Sequence, residues 1–230
     1  MDLPAPLFEG RLLRRYKRFF TDIALTDGSQ VTAHTPNTGS MKQCAVPGHR
    51  VLVSASDNPR RKLGYTLELI EVNGRWVDTH TLRTNRVVEE GLRNGSIREL
   101  AGYEVRAEYP FGESRIDFLL QKPQENVLVE VKNVTLCRGE STAIFPDAVT
   151  LRGQKHLLEL AAALKQGYRA VIFFLVQRSE ATVFSPADEI DPDYGRLLRE
   201  VVAAGVEALA YRTVITAEEI RVGERIPVLL

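Results

Sequence analysis

The chain has little cysteine, no long apolar run and no net charge, and each shortage removes a class of protein. Only Cys44 and Cys137 occur in 230 residues. Two cysteines are too few for a disulfide framework, and neither sits at a CxxC or comparable metal-ligand spacing. A reducing cytoplasm is the compartment this predicts. The longest apolar run, Ala170 to Val176, falls far short of the ~18 residues of a bilayer span, so no membrane partner is expected. The opening MDLPAPLFEG carries acids and prolines where a signal peptide needs a basic and then an apolar stretch. Neither GxxxxGK[ST] nor GxGxxG is present, which removes the nucleotide-cradling loops. No helix-turn-helix stands out, which weakens a simple operator-reading repressor. What remains is ordinary globular composition, 44% hydrophobic and 26% charged. At roughly 150 residues per domain the length suits one or two domains.

The balance of 30 basic against 30 acidic side chains hides an asymmetry. Residues 1–85 carry an excess of four positive charges and residues 86–230 an excess of four negative ones. The basic part is clustered: Arg11, Arg14, Arg15, Lys17 and Arg18 alternate with Tyr16, Phe19 and Phe20, and Arg60, Arg61 and Lys62 form a second group. Cations beside aromatic rings are what a polyanion groove uses, since cations meet phosphates and rings stack on bases. A solvated strand with its aromatics in the core fits the same residues.

Residues 7–80 read as five or six short strands. Phe8–Phe20 is one long β-compatible stretch, Asp27-Gly28 and Asn73-Gly74 are hairpin turns, and Val51–Val53, Tyr65–Val72 and Trp76-Val77 are further strands. With basic-aromatic content, a small oligonucleotide-binding (OB) barrel leads. The pattern changes near Thr84. A short helix spans Asn85–Arg93, followed by a hairpin, a helix from about Thr150 to Gln166, a buried strand at Ala170–Val176, and a helix capped by Asp191 with Pro192 at its first position. A strand at Val206–Tyr211 follows, and this alternation predicts a partly parallel sheet with helices on its faces. The expected organisation is a mixed α/β chain, an OB-like barrel at 1–84 and a helix-flanked mixed sheet at 85–230.

The informative segment runs from Arg115 to Lys132. With Lys122–Glu125 as the loop, Gln121 pairs with Asn126, Phe118 with Val129, and Ile116 with Val131, so one hairpin face is apolar throughout. Asp117 then lies opposite Glu130 and Arg115 opposite Lys132. A one-residue slip would drive charges into the core. Two carboxylates about 4.5–5.5 Å apart at Cβ repel unless something cancels their charge. A divalent cation does so, and Mg²⁺ (or Mn²⁺) is commonly held by one or two carboxylates plus substrate phosphates. Arg115 and Lys132 neutralising the acids on an exposed face is the competing account.

An Asp on one strand followed by Glu-x-Lys on the next resembles the core of the PD-(D/E)xK nuclease superfamily. Over nearly its whole length the chain resembles the sugar fermentation stimulation protein A (SfsA) family. RYKRF at 15–19, HTPNTGSM at 34–41, NR at 85–86, SRIDF at 114–118, VEVKNVTL at 129–136 and FPDAVTLRGQKHLLEL at 145–160 carry the match. The resemblance implies a DNA-binding protein with an OB-like domain before a restriction-endonuclease-like domain, linked to regulation of sugar, particularly maltose, metabolism. It makes Asp117 and Glu130 metal-binding acids and Lys132 the catalytic lysine. A third acid on the first helix falls to Glu90, with Glu89 as its rival. The superfamily's Gln-x-x-x-Tyr helix motif is half met by Gln154, since Leu158 stands at its second position.

Arg152, Gln154 and Lys155 stand near a helix start, where a phosphate can dock, or they form an ordinary polar helix start. Leu151, Leu157, Leu158, Ala161 and Leu164 of that helix are expected in the core. His34, His49, His80 and His156 are expected at the surface or satisfied in the core, Asn37 and Gly39 to form a turn, and Asp147 to be a helix-cap or turn acid, or a further acid near the metal. The expectation is a largely sequence-nonspecific DNA binder with a Mg²⁺-dependent nuclease-like site. A noncatalytic regulator on the same scaffold, and a small-molecule or protein-interaction module, are its rivals. A homodimer would place two such sites on two strands, but no segment specifies an interface.

Overall fold

In this computed structural model, which describes residues 1–112 and 114–230, the first β-compatible stretch divides in two. Strands β1 (Leu7–Tyr16) and β2 (Phe20–Leu25) are joined by a turn at Lys17–Phe19, with Lys17 and Arg18 at φ 47° and 64°. That left-handed backbone is uncommon outside glycine, and it lifts both cations to the tip of the hairpin. Then come β3 (Gln30–His34), β4 (Arg50–Ala55), β5 (Tyr65–Val72) and β6 (Arg75–Asp78). The sheet order is β3-β2-β1-β4-β5-β6, and a parallel β3–β5 pairing closes five strands into a barrel. Alternating Leu12, Ile23, Ala33, Val51, Val53 and Leu67 fill it, with Met41 and Cys44 from the following loop. Gly10 permits the tight β1–β2 approach, because a Cβ there would lie 2.6 Å from Ile23.

The helix expected from Asn85 starts four residues earlier, as α1 (Thr81–Arg93). Its N-cap residue, His80, supplies no side-chain cap, so the usual start signal is missing. Tertiary contacts hold the first turn instead. Thr81 donates from its backbone and hydroxyl to the Pro36 carbonyl, and Arg83 reaches back to Glu68 and Asp78 of the barrel.

After a 3₁₀ turn at Arg98–Leu100 come β7 (Glu104–Phe111), β8 (Ser114–Lys122), β9 (Glu125–Val134), β10 (Leu136–Arg138) and β11 (Thr142–Phe145). The chain continues as α2 (Leu151–Lys165), β12 (Arg169–Val176), β13 (Val183–Pro186), α3 (Pro192–Ala203), β14 (Glu207–Ile215) and β15 (Ile220–Ile226). The main sheet, ordered β15-β14-β12-β9-β8-β7, has parallel β9–β12–β14 at its centre, and β10-β11-β13 form a second small sheet. Apolar residues of α1 pack on one face of the main sheet, and those of α2 and α3 on the other. Helix α2 turns Gly153, His156, Leu157, Leu160 and Ala163 inward. Leu151 and Leu158, expected in the core, are 77% and 56% exposed, because they lie off that face. No helix among the described residues is long and apolar enough to cross a membrane.

Candidate metal and nucleic-acid site

The hairpin keeps the register its hydrophobic pattern demands: Phe118 pairs with Val129, Leu119 with Leu128, Leu120 with Val127 and Gln121 with Asn126. Lys122 also pairs with Glu125, so the turn is Pro123-Gln124 and not a four-residue loop. Toward the site the ladder stops. The Val131 N–H donates to Asp117 Oδ2 at 2.7 Å. Ile116, expected opposite Val131 on one apolar face, packs with Leu119 and Leu128 on the other side of the sheet, whereas Val131 stays with Phe118 and Val129. Strand β8 therefore changes face at Asp117, which also drops out of the ladder with β7. This overturns the uniformly apolar hairpin face but still brings Asp117 near Glu130.

The acids occupy different surroundings. Asp117 accepts from Val131 N–H and from Asn85 Nδ2 at 2.7 Å. Burial pushes its carboxyl up to about 6; the negative Glu130 adds to this, and the two hydrogen bonds and Lys132 only partly offset it. Glu130 is 2% exposed. Burial opposes its ionisation too, but the His156 hydrogen bond and the Lys132 charge hold it below the ordinary carboxylate range. Lys132 Nζ lies 2.7 Å from Glu130 Oε1, and His156 Nδ1 bonds the same oxygen. An ionised Glu130 Oε1 can only accept, so His156 Nδ1 donates to it, and Arg152 Nε lies 3.4 Å from the other ring nitrogen. Glu130 Oε2 is buried and has no partner among the described residues.

His156 was expected to be a surface or satisfied histidine, and it stands at the centre of the site. Its signal is helical phase: it lies on the inward face of α2 with Gly153 and Leu160. Glu90 does not join the acids, because it pairs with the Met1 amino group at 2.9 Å, and Glu89 pairs with Arg93. The residue of α1 that reaches the site is Asn85.

The basic residues divide by role. Arg15 is committed internally: its guanidinium donates to the carbonyls of Arg18, Asn37, Gly39 and Ser40. Arg14 pairs with Asp22 at 2.7 Å and lies over the Tyr16 ring, which stacks on Phe20. Lys17, Arg18, Arg60 and Lys62 are exposed, as is Arg61, which also bonds Thr66. At the start of α2, Gln154 is turned to Asp191, Lys155 faces Glu159 at 3.6 Å, and Thr150 caps the helix. The Asp191 carboxylate also takes the Thr150 N–H, so a protein anion already serves that helix start.

The 34–41 segment does more than turn. Ser40 donates through N–H and hydroxyl to Asp147 Oδ2 at 3.0 and 2.8 Å, so Asp147 ties the barrel to the second part of the chain and does not cap α2. A cavity of about 310 Å³ opens between this loop, α1 and the end of β9, with Asn37, Asn85, Lys132, Phe145 and Asp147 in its walls. A larger one, about 790 Å³, lies around Arg98, Arg212 and Arg221, away from the paired acids.

A closed five-stranded barrel joined to a helix-flanked mixed sheet, with paired acids beside a shared cleft, defines a two-part architecture. Residues 13–78 match the family model described as SfsA N-terminal OB domain, and residues 82–219 match Sugar fermentation stimulation protein RE domain. The chain belongs to the sugar fermentation stimulation protein (SfsA) family. A sugar fermentation stimulation protein homolog of Syntrophotalea carbinolica is 66% identical over the full length of both chains. One from Geobacter sulfurreducens is 57% identical, covering 100% of this chain and 99% of the relative. Among solved structures, that of Pyrococcus furiosus SfsA in complex with Ca²⁺ superposes with a TM-score of 0.89 at 29% identity, covering 100% of this chain and 98% of the other.

Proposed function

We propose that this chain binds DNA with little sequence preference and hydrolyses phosphodiester bonds at Asp117, Glu130 and Lys132 with Mg²⁺ or Mn²⁺, within the sugar-metabolism setting its relatives' names describe. The observation that carries the reading is the buried, unpartnered Glu130 Oε2 beside an Asp117 carboxyl held at about 6. Both features suit a hard cation, which cancels the repulsion and fills the orphaned lone pair. The Pyrococcus furiosus relative was solved in complex with Ca²⁺, a hard divalent cation. No group of three or more His, Cys, Asp or Glu able to hold a metal occurs among the described residues. Two carboxylates therefore fit an ion completed by water and substrate phosphate, as Mg²⁺ commonly is. Such an ion supplies Lewis-acid polarisation of a phosphoryl oxygen. Lys132 borders the cleft and donates to developing charge on the phosphate, while Lys17, Arg18, Arg60 and Lys62 attract the polyanion.

One observation favours a second reading, a noncatalytic DNA binder on the same scaffold: α1 offers the neutral Asn85 where a third carboxylate would strengthen the site. Calorimetry with Mg²⁺ or Mn²⁺, with and without short DNA, on the wild type and the Asp117→Ala/Glu130→Ala variant separates the two. Binding that needs both acids, followed by cleavage that Lys132→Ala abolishes while DNA affinity stays nearly constant, supports catalysis. Metal-independent DNA binding without cleavage supports the regulator.

A further inference from the structure

The cavity beside Lys132 has walls from both parts of the chain: Asn37 and Gly39 from the barrel loop, Asn85 from α1, Lys132 from β9, and Asp147 after β11. We propose that it receives one unpaired nucleotide, so that the site works on single-stranded, frayed or bulged DNA and not on continuous duplex. This rests on the phosphodiesterase reading above.

Four observations converge on it. The volume, about 310 Å³, is at the lower end of the ~300–1,000 Å³ clefts that hold small ligands. It accommodates a single nucleotide and excludes a base pair with two backbones. The lining mixes polar and apolar groups, as a heteroaromatic ring with polar edges requires: Thr38, Asn85 and Asp147 share it with Ile144 and Phe145, while the Asn37 amide is spent on Thr79 and Gly39.

The charges orient the guest. Lys132 attracts the phosphate at the end nearest the acids, since Asn85 and Val131, both in the cavity wall, are the groups that hold Asp117. Asp147 repels phosphate from the far end and accepts from base amino groups.

The walls are also fixed. Arg15 holds three carbonyls of the loop, Ser40 is bonded to Asp147, and Asn37 Nδ2 donates to the Thr79 carbonyl at 2.7 Å. A Cβ on Gly39 would lie 3.0 Å from Asn37 Oδ1 and 3.1 Å from Asp147 Oδ2. The rim cannot spread to admit a duplex without breaking these bonds. Extruding a base from a duplex costs a few kcal/mol, least where it is already unpaired, so the cavity selects unpaired strands.

Thr38 is exposed at the rim, so Thr38→Trp plugs the opening without entering the core. The test measures fluorescence anisotropy in Ca²⁺ with a duplex carrying one unpaired nucleotide and with its fully paired counterpart. The wild type is expected to favour the unpaired substrate by about tenfold, equivalent to ~1.4 kcal/mol. Thr38→Trp removes that preference. Melting midpoints and Ca²⁺ titrations of the variant serve as controls. Equal wild-type affinity for the two substrates, or a preference that survives Thr38→Trp, overturns the proposal. Failure to bind either DNA overturns the DNA-binding reading beneath it.

Discussion

His156 donates through Nδ1 to the same Glu130 oxygen that Lys132 holds at 2.7 Å, leaving Oε2 as the one unclaimed oxygen of that carboxylate among the described residues. The imidazole thereby fixes the carboxylate plane and decides which oxygen is left for an ion. Groups that orient metal-binding side chains typically control affinity by 10–100-fold. His156→Ala is expected to weaken Mg²⁺ binding by about that factor, and His156→Gln, which keeps a donor, to restore most of it. Calorimetry checks this, and unchanged affinity in the alanine variant would remove His156 from the site.

The pH dependence follows from Asp117, whose folded carboxyl titrates at about 6 against an ordinary 3.8. Between these values the folded chain keeps a proton that the unfolded chain has released. Metal-free stability therefore falls as pH rises through that window and stays reduced above it, by up to roughly 3 kcal/mol at 1.36 kcal/mol per unit. Metal affinity moves the other way, rising through about pH 6 as the carboxylate forms. Asp117→Asn is expected to raise the metal-free melting midpoint at neutral pH and to abolish the rise in Mg²⁺ affinity. Its amide oxygen still accepts the Val131 N–H, and Asn85 flips to accept from its NH₂. A midpoint lowered at pH 7.5 would contradict the assignment.

That Asp117, Glu130 and Lys132 lie close together was legible in the sequence, because strand alternation has a period of two and fixes the hairpin register. Thr150 and Asp191 were legible as the boundaries of α2 and α3 because caps are local signals. The change of face at Asp117 was not legible, since it comes from a side chain taking a neighbouring strand's N–H. Arg15 reads like Arg18 in a basic run, and only folding shows one guanidinium inside and the other outside. Edge strand β7 alternates Glu104, Arg106 and Glu108 with Val105, Ala107 and Tyr109, but the run is short, meets Pro110 near its end and buries only Val105 and Phe111, so the hairpin beside it dominates the pattern. Glu90 has the charge a metal site asks for but pairs with the Met1 amino group, whereas the helix offers the site Asn85, one turn before Glu89.

Arg15 and Arg18 separate structure from phosphate contact. Arg15→Ala removes the donors that hold the Asn37–Ser40 loop, and leaving those carbonyls without partners costs about 1–3 kcal/mol. A lowered melting midpoint is expected, with little change in the salt dependence of DNA binding. Arg18→Ala removes an exposed cation and should leave the midpoint unchanged. Its signature is a log–log salt slope reduced by about 0.9 if it neutralises one phosphate on duplex. Exchange of the two signatures would reverse the roles.

Arg83 locks the barrel to α1 by pairing with Glu68 on β5 and with Asp78 at 3.1 Å, all three being buried. Burial pushes the Asp78 carboxyl up to about 7 even with Arg83 beside it, and the negative Glu68 adds to this. Replacing the cation with an apolar chain of similar length, Arg83→Met, leaves both carboxylates buried and unpaired, a loss of about 3–5 kcal/mol where ionised. Asp78 escapes part of that cost by taking a proton, which is readily available at pH 5.5 and scarce at pH 8. The variant is therefore expected to lose more stability at pH 8 than at pH 5.5, as urea unfolding at the two values would show. A loss equal at both would mean that Arg83 contributes packing alone and that its charge is not what joins the barrel to the helix.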